Sequence, residues 1–384
     1  MSSIRRMQQA AAGVGGGFEG AGELWGWGRN AAAELGTGSS ANPITSPIQI
    51  GSDDTWIVAN GNYTLIALKS DGTLWSWGSG HRGLSSQGDT TARSCPVQIG
   101  SLENWGGPLD HYENSSDAGS AGFAINQDGK LYCLGGDNEK GGHGLGHTSN
   151  SVSTPTQVGA LTDWAQVAVK SLGTSALKTD GTAWSWGEAN YGVLGDGTQV
   201  LKSSPVQVSG GATNWTWINC GQYAVYVINT LGELWCWGHN YYGQLGLGNT
   251  TTYSTPVQVG SLTNWAKVWG GAIHVIALKT DGTLWSWGHN YYGQLGLGNQ
   301  GGGTNRSSPV QIGSATDWIH AGTTRNNDSF GIRSGGTLWS WGENNTYQGG
   351  RVNNSVANSP VQLSGTGYTK VFGGSNDANY AIKG

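Results

Sequence analysis

The side chains best suited to binding chemistry lie in a segment that the chain contains twice. HNYYGQLGLGN is identical at residues 239–249 and 289–299. Tyrosine gives a large contact area with a polar tip and loses little entropy when it is bound. Tyrosines occur at these and comparable places as Tyr191, Tyr241, Tyr242, Tyr291, Tyr292 and Tyr347. We predict a binding strip of Tyr242, Tyr292, His239 and His289, and expect the first tyrosine of each pair to cap an edge of the fold.

Two further segments depart from the rest of the chain. GGPLDHYENSSDAGSAG, at 106–122, is longer than its counterparts by about seven residues. Its predicted binding residues are Asp110, His111, Tyr112, Glu113 and Asp117. Polar extra loops on a rigid scaffold are frequent recognition sites, and a tolerated insertion explains the segment equally well. Arg325 is another binding candidate, because its segment also differs from the others.

Motifs of catalysis are missing from the sequence. It contains no G-x-S-x-G, no H-E-x-x-H and no Walker A sequence. His143 and His147 have the spacing of metal ligands on a helix, but the glycines around them disfavour a helix. We therefore predict no catalytic residue, no metal site and no cofactor, and expect a protein that is not an enzyme. An enzyme that uses one face of the fold is the alternative.

The composition excludes several classes of protein. Of 384 residues, 68 are glycine and 20 are tryptophan, and 11% are charged. A net charge of −5 without clustered Lys and Arg argues against a nucleic-acid surface. No apolar run approaches the ~20 residues of a membrane span. The cysteines Cys95, Cys133, Cys220 and Cys236 have no metal-type spacing, so we expect free thiols and a reducing compartment.

Sevenfold repetition organises the chain. A motif related to LWSWG recurs at spacings of 50 to 57 residues and begins at Leu24, Leu74, Leu131, Ala183, Leu234, Leu284 and Leu338. A PVQI-like motif also occurs seven times, as does an aromatic column of Trp56, Trp105, Trp164, Trp215, Trp265, Trp318 and Tyr368. Each unit fits four short strands, and units of this length favour a β-propeller. The predicted fold is all-β, a seven-bladed propeller of four-stranded antiparallel blades.

The two ends of the propeller are predicted to share one blade. The first unit starts at its third strand, Glu23–Gly28, whereas the segment from Tyr368 supplies only first and second strands. Ala381–Gly384 should therefore pair with the N-terminal strand and close the ring. Asp281-Gly282 and similar pairs predict two-residue hairpin turns. Prolines are expected at the start of the fourth strand, where a missing N–H is tolerated.

Alternation along L-W-x-W-G places both tryptophans on one face of the strand and x on the other. The x residues are all small: Gly26, Ser76, Cys133, Ser185, Cys236, Ser286 and Ser340. We predict that the tryptophan pair of one blade fills the space beside the small residues of its neighbour. The tryptophans with this structural role are Trp25, Trp27, Trp75, Trp77, Trp184, Trp186, Trp235, Trp237, Trp285, Trp287, Trp339 and Trp341.

The pattern V…G…H…AL…DG-LW-WG-N–GQLG-G…P–V resembles the regulator of chromosome condensation repeats. One unit carries it as Val268, Gly271, His274, Ala277, Leu278, Asp281, Gly282, Trp287, Gly288, Asn290, Gly293, Gln294, Leu295 and Gly296. The resemblance covers about residues 23–384 and implies a seven-bladed propeller. Members of this family include an exchange factor for a small GTPase, a plant ultraviolet-B photoreceptor and a bacterial β-lactamase inhibitor, so the fold alone does not define a function.

The chain is predicted to divide into a leader, 1–22, and the propeller, 23–384. The leader's RRMQQAAAGVGG is similar to the starts of propeller proteins from marine bacteriophages, and Arg5 and Arg6 are its candidate anchoring residues. We predict a non-enzymatic protein-binding component of a bacteriophage virion, made in the host cytoplasm, whose partners are other virion subunits held through 1–22. The alternative is a soluble, cytoplasmic regulatory binder, such as an enzyme inhibitor or a GTPase exchange factor.

Overall fold

Strands make up nearly all of the regular secondary structure. The computed structural model describes residues 20–384 except 40, 62, 107–121, 137, 150, 172, 325, 375 and 376. Within these residues there are 27 strands and two short 3-10 helices, His81–Gly83 and Asn190–Gly192. No helix in this described part is long and apolar enough to cross a membrane.

The strands form seven sheets, and we number the blades along the chain. The first blade contains β3 (Trp56–Gly61), β4 (Thr64–Lys69), β5 (Leu74–Gly78) and β6 (Arg93–Gln98), and the second contains β7 (Phe123–Ile125), β8 (Leu131–Cys133) and β9 (Thr156–Gln157). The third contains β10 (Trp164–Lys170), β11 (Gly173–Lys178), β12 (Ala183–Gly187) and β13 (Lys202–Gln207), and the fourth contains β14 (Trp215–Cys220), β15 (Ala224–Asn229), β16 (Leu234–Gly238) and β17 (Tyr253–Gln258). The fifth contains β18 (Trp265–Gly270), β19 (His274–Lys279), β20 (Leu284–Gly288) and β21 (Arg306–Gln311), and the sixth contains β22 (Trp318–Thr323), β23 (Asp328–Arg333), β24 (Leu338–Gly342) and β25 (Ala357–Gln362).

The seventh blade joins both ends of the propeller. It contains β26 (Tyr368–Gly373), β27 (Ala378–Lys383), β1 (Glu23–Gly28) and β2 (Ile44–Gln49) in the order β2-β1-β27-β26. Within it Leu24 pairs with Ile382 and Trp25 with Ala381. Strands β26 and β27 also lie against β3 of the first blade. The predicted fold, a seven-bladed antiparallel propeller closed by a composite blade, is confirmed.

The second blade is the least regular of the seven. Its sheet has three strands in the described residues, and its outer strand β9 has only two residues. An isolated bridge between Trp105 and Asn126 stands where the other blades have their inner strand. Trp105 is nevertheless fully buried, so the aromatic column continues through this blade.

Two details of local geometry differ from the predictions. The hairpin between β19 and β20 has three loop residues instead of two, because the Lys279 N–H donates to the Thr283 carbonyl (3.0 Å). Gly282 has a positive φ of 76°, whereas Asp281 does not, so the turn needs a single left-handed residue. Pro256 lies inside β17 and not at its start. It is tolerated there because β17 is an outer edge strand with irregular pairing.

The second tryptophan of each motif joins neighbouring blades. Trp287 is fully buried, and its indole N–H donates to the Gln244 carbonyl of the fourth blade (2.9 Å). The equivalent bonds from Trp27, Trp186, Trp237 and Trp341 reach Gln348, Gly142, Val193 and Gln294. A Cβ on Gly246 would lie 2.9 Å from the Trp287 ring nitrogen, so only glycine allows this approach.

The predicted packing of tryptophan pairs against the small residues needs correction. Ser286 is covered by its own blade, since its hydroxyl donates to the carbonyl of the buried Leu295 (2.7 Å). Trp341 of the next blade packs on this same loop, at Gly296. The loop after the third strand folds back over the sheet and therefore separates the small residue from the neighbouring tryptophan.

The first tryptophan of each motif stays half-buried and packs within its own blade. Trp285 meets Trp265 edge to face, with ring centroids 6.1 Å apart, and the Lys279 Nζ lies 3.7 Å from its ring. Its indole N–H donates to the Thr283 hydroxyl, which donates to the Asp281 carboxylate. Similar cation–π pairs are Lys69–Trp75, Lys178–Trp184, Arg333–Trp339 and Lys383–Trp25. Of the two tryptophans in the motif, the second is therefore the one that joins one blade to another.

Candidate binding surface

Eight aromatic rings form a continuous surface across the third, fourth and fifth blades. We call this surface the aromatic strip, and its members are Tyr191, Tyr223, His239, Tyr241, Tyr242, His289, Tyr291 and Tyr292. Neighbouring ring centroids lie 4.4 to 6.4 Å apart. The strip crosses two blade boundaries, where Tyr191 meets His239 (4.4 Å) and Tyr242 meets His289 (4.8 Å).

The strip lies on one face of the ring. In an antiparallel blade, the turn after the first strand and the loop after the third strand leave the sheet at the same end. Tyr223 lies in the turn between β14 and β15, and the other rings follow β12, β16 and β20. Sequence reasoning missed Tyr223, although the shared end of these two connections would have revealed it.

Side-chain amides fix the conformation of each loop. The Leu245 N–H donates to Asn240 Oδ1 (2.9 Å), and Asn240 Nδ2 donates to the Thr251 carbonyl (2.9 Å). Gln244 Oε1 accepts the Tyr242 N–H (2.9 Å). In the fifth blade, Asn290 Oδ1 and Gln294 Oε1 accept the equivalent backbone N–H groups, and Asn290 Nδ2 donates to a hydroxyl instead of a carbonyl. Both loops therefore present their tyrosines from a fixed backbone.

The two histidines of the strip are neutral hydrogen-bond acceptors. Gln244 Nε2 lies 2.8 Å from His239 Nδ1, and Gln294 Nε2 lies 2.9 Å from His289 Nδ1. Because an amide nitrogen is a donor, Nδ1 must be the unprotonated nitrogen and Nε2 must carry the proton. Burial lowers the pKa of both histidines below the ordinary value. At neutral pH the strip therefore gains aromatic surface from them and no positive charge.

The structure brings the four predicted residues of the strip together but shows that the other tyrosine of each pair is the more exposed one. Tyr242 is half-buried against His289, while Tyr241 is 70% exposed and Tyr291 is 54% exposed. Both exposed rings lie almost parallel to the histidine of their own loop, at 8° and 11°. The first tyrosine of each pair, expected to cap an edge, is thus the one that exposes most surface.

Several other predicted residues lie outside the described part of the chain. They are Asp110, His111, Tyr112, Glu113 and Asp117 of the long segment, Arg325, and the anchoring candidates Arg5 and Arg6. Their roles stay predictions. The same holds for the leader, 1–22, of which only the last three residues are described.

Tyr347 does not join the strip. It lines a separate cavity of about 430 Å³ with Arg29 and Asp377, between the sixth and seventh blades. In the sixth blade the strip's histidine and tyrosines are replaced by Glu343, Asn345 and Thr346. The aromatic surface therefore ends at the boundary between the fifth and sixth blades.

The structure assigns no metal to the histidine pair of the second blade. His143 is buried, and burial lowers its pKa to about 4. His147 Nδ1 lies 3.1 Å from the amide of Asn138. Across the described residues, no three His, Cys, Asp or Glu side chains are placed to hold a metal ion.

Comparison with known proteins places the strip inside a recognised repeat. The profile of the Regulator of chromosome condensation (RCC1) repeat matches residues 180–228, 232–278 and 281–323. These segments are similar to RCC1 repeats. All eight members of the strip fall within them, and the chain as a whole is a seven-bladed propeller.

Curated proteins similar to this chain include two from one plant. The chain is 28% identical over 248 residues to the mitochondrial RCC1 domain-containing protein RUG3 of Arabidopsis thaliana, covering 62% of this chain and 54% of the relative. It is 28% identical over 237 residues to the ultraviolet-B receptor UVR8 of the same plant, covering 60% and 52%. The chain therefore matches about half the length of these relatives.

Solved structures support the propeller fold. Prp20p from Saccharomyces cerevisiae superposes with a TM-score of 0.79 at 16% identity, covering 100% of this chain and 95% of that one. Human WBSCR16 superposes with a TM-score of 0.78 at 18% identity, covering 94% and 100%. At such low identity these likenesses establish the architecture and leave the function to the surface of this chain.

Proposed function

We propose that this RCC1-like propeller is a non-catalytic regulator that binds a partner protein through the aromatic strip. The observation that carries the proposal is the pair of exposed rings, Tyr241 and Tyr291, on loops whose backbones are fixed by buried amides. Tyrosine is enriched at the energetic centres of protein interfaces. A rigid loop also spares the ordering cost that a flexible one would incur on binding.

The known proteins agree with a binding role without defining the partner. Prp20p, which shares the fold, is described as binding Gsp1p and histones. UVR8 is a receptor, and HERC2 of Homo sapiens, 28% identical over 208 residues, is a ubiquitin ligase of which this chain covers only 4%. A regulatory binder, such as an enzyme inhibitor or an exchange factor for a GTPase, is therefore favoured over an enzyme that uses a propeller face.

The virion role gains no support from these comparisons. The relatives and solved structures reported above come from plants, yeast and human, and none is a bacteriophage protein. The resemblance of the leader to bacteriophage sequences stays an expectation from the sequence. Localisation, in a virion or in the cytoplasm, stays a prediction.

A matched pair of double variants tests the proposed function. Tyr241→Ala with Tyr291→Ala removes the two exposed rings of the strip. Leu102→Ala with Leu262→Ala removes two side chains, 47% and 45% exposed, from connections that leave the opposite end of the blades. Each purified chain is used as bait in an extract of its source cells, and bound proteins are quantified by mass spectrometry.

We expect the wild type and the leucine variant to retain one stoichiometric partner and the tyrosine variant to lose it. Retention of that partner by the tyrosine variant, together with its loss from the leucine variant, would place binding on the face opposite the aromatic strip. The absence of any stoichiometric partner of the wild type would overturn the proposed function itself.

A further inference from the structure

A histidine replaces a buried leucine in the second blade. In four other blades, the loop after the third strand carries a fully buried leucine: Leu35, Leu194, Leu245 and Leu295. The residue at this place in the second blade is His143, which is also fully buried. Its backbone N–H donates to Asn138 Oδ1 (3.1 Å), as the Leu295 N–H donates to Asn290 Oδ1 (3.1 Å). The imidazole therefore starts from the same backbone position as those leucines.

The neighbouring blade fixes the direction in which His143 points. The indole N–H of Trp186, in the third blade, donates to the Gly142 carbonyl (2.9 Å), and a Cβ on Gly144 would lie 2.7 Å from the same indole nitrogen. The residues on both sides of His143 thus face the third blade, as their counterparts in the fifth blade face the sixth. The side chain between them points to the small residue of its own blade, which is Cys133.

Neither ring nitrogen of His143 has a hydrogen-bond partner among the described residues. Burial lowers the pKa of His143 to about 4, so the ring is neutral at physiological pH and has one donor and one acceptor nitrogen. Buried polar groups nearly always have partners, and an exception calls for an explanation such as a bound water or ion. The ring of His143 is therefore a candidate ligand.

A buried thiol lies beside this ring. Cys133 is a free cysteine with no exposed surface, and its Sγ lies 3.9 Å from the Gly135 carbonyl. The same carbonyl opposes the fall in the pKa of His143, although it accepts no hydrogen bond from the ring. Both side chains are thus neighbours of one backbone oxygen. The sequence predicts no metal site because it pairs His143 with His147, whereas the fold pairs it with Cys133.

This pair of donors selects a particular class of metal ion. Thiolate sulfur is a soft ligand that favours Cu(I), and imidazole nitrogen also suits copper. Zinc in a structural site needs four ligands, whereas Cu(I) accepts a linear pair. Across the described residues no third His, Cys, Asp or Glu side chain is placed to complete a larger set. The donor set therefore fits a soft ion of low coordination number.

We propose that Cys133 Sγ and a ring nitrogen of His143 bind a single soft monovalent ion of the Cu(I) type. On binding, the thiol proton is released to solvent and a sulfur–metal bond takes its place, with no change in oxidation state. His147 takes no part, because its Nδ1 lies 3.1 Å from the Asn138 amide nitrogen. The site is separate from the aromatic strip, so its failure leaves the proposed function intact.

The second blade also offers a route of entry to the ion. Its outer strand β9 has two residues, whereas the outer strands of the other blades have six. Fewer backbone hydrogen bonds therefore hold this edge, and local opening costs less free energy there. We expect the ion to enter the folded chain slowly and to bind faster during folding.

Cu(I) binding to the full chain, measured without oxygen against a chelator that buffers the free ion, tests the proposal. All proteins carry Cys95→Ser, which removes the exposed thiol. The ion is added to the folded chain and, in parallel, during refolding from urea. We expect a single bound ion per chain, with one sulfur and one nitrogen neighbour by X-ray absorption, and a Tm higher by at least about 2 °C. No bound ion by either route, or coordination by sulfur alone, would overturn the proposal.

The other blades supply matched variants. His143→Leu and Cys133→Ser each introduce a residue that occupies the same place in other blades, so both proteins should fold. Each should lose the bound ion and the increase in Tm. Cys236→Ser is the control, because Cys236 is equally buried but lies under Leu245, and this variant should still bind the ion. Binding that survives His143→Leu, or that Cys236→Ser also abolishes, would contradict the assigned pair.

Discussion

The fifth and sixth blades use different side chains to cover the small residue of their third strand. In the fifth blade, the buried Leu295 lies over Ser286. In the sixth, Gly349 takes the place of the leucine, and a Cβ there would lie 2.8 Å from the guanidinium carbon of Arg351. The Arg351 side chain therefore fills the volume that leucine fills elsewhere, and its Nη1 donates to Ser340 (3.0 Å).

A buried acid accompanies this buried arginine. Asp328 takes the place of His274 and is fully buried, and the Thr324 hydroxyl donates to it (2.7 Å). Burial raises the pKa of Asp328 well above its ordinary value, Asp377 raises it further, and Arg351 opposes the rise. Burial lowers the pKa of Arg351 to about 10. A blade therefore accepts a buried arginine where a hydroxyl and backbone carbonyls accept hydrogen bonds from its guanidinium group.

Substitution of Leu295, the apolar side chain that covers Ser286, should have the largest effect on stability. Leu295→Ala leaves a cavity over Ser286, and we expect the free energy of unfolding in urea to fall by about 3 kcal/mol. The matched control is Leu262→Ala, because Leu262 is 45% exposed and should change the free energy by less than about 0.5 kcal/mol. Equal effects of the two substitutions would contradict the packing described for the fifth blade.

Substitution of Arg351, the charged side chain in the equivalent place, should have a smaller but clear effect on stability. Arg351→Ala leaves a void beside Gly349 and removes the bonds to Ser340 and the Gly342 carbonyl, so we expect a loss of about 2 kcal/mol. The control is Arg93→Ala, which removes a solvent-accessible pair with Asp89 and should cost less than about 1 kcal/mol. If Arg351→Ala behaved like Arg93→Ala, the arginine would not be acting as a core residue.

Conversion of the sixth blade to the pattern of the fifth tests the exchange directly. Gly349→Leu alone places two side chains in one volume and should destabilise the chain. Combining it with Arg351→Leu removes the clash, so the two substitutions should couple favourably by about 1 kcal/mol in a double-mutant cycle. Additive effects would show that Gly349 and Arg351 do not share one volume.

The pH dependence of stability tests the buried acid of the sixth blade. The folded-state pKa of Asp328 is raised, so the folded chain holds its proton more tightly than the unfolded chain. This contribution is complete below the ordinary pKa of aspartate and is lost as the pH rises through the raised value. Relative to Asp328→Asn, the wild type should lose stability as the pH rises from 4 to 8. A constant difference between the two proteins over this range would mean that Asp328 is not titrating from a raised pKa.

The sequence contained most of the architecture because each motif occurs seven times. The phase of the repeat at its two ends predicted that Glu23–Gly28 is a third strand and that Ala381 lies opposite Trp25. The packing of the small residues did not follow, because strand alternation says nothing about a loop that folds back over the sheet. Leu295 covers Ser286 through such a loop.

The sequence predicted which loops form the candidate site but not which of their tyrosines is exposed. Identical loops in neighbouring blades brought His239, His289 and their tyrosines together. Which tyrosine is exposed depends on contacts across a blade boundary, as between Tyr242 and His289, and spacing within one repeat does not contain that information. Arg351 was missed for a related reason: its role depends on the absence of a side chain at Gly349.

We expect a partner to cover the exposed rings of the strip. Tyrosine nitration of the full chain, read by mass spectrometry with and without the captured partner, tests it most directly. We expect Tyr241 and Tyr291 to react readily in the free chain and to be protected in the complex. Equal nitration of both tyrosines in the free chain and in the complex would contradict the account.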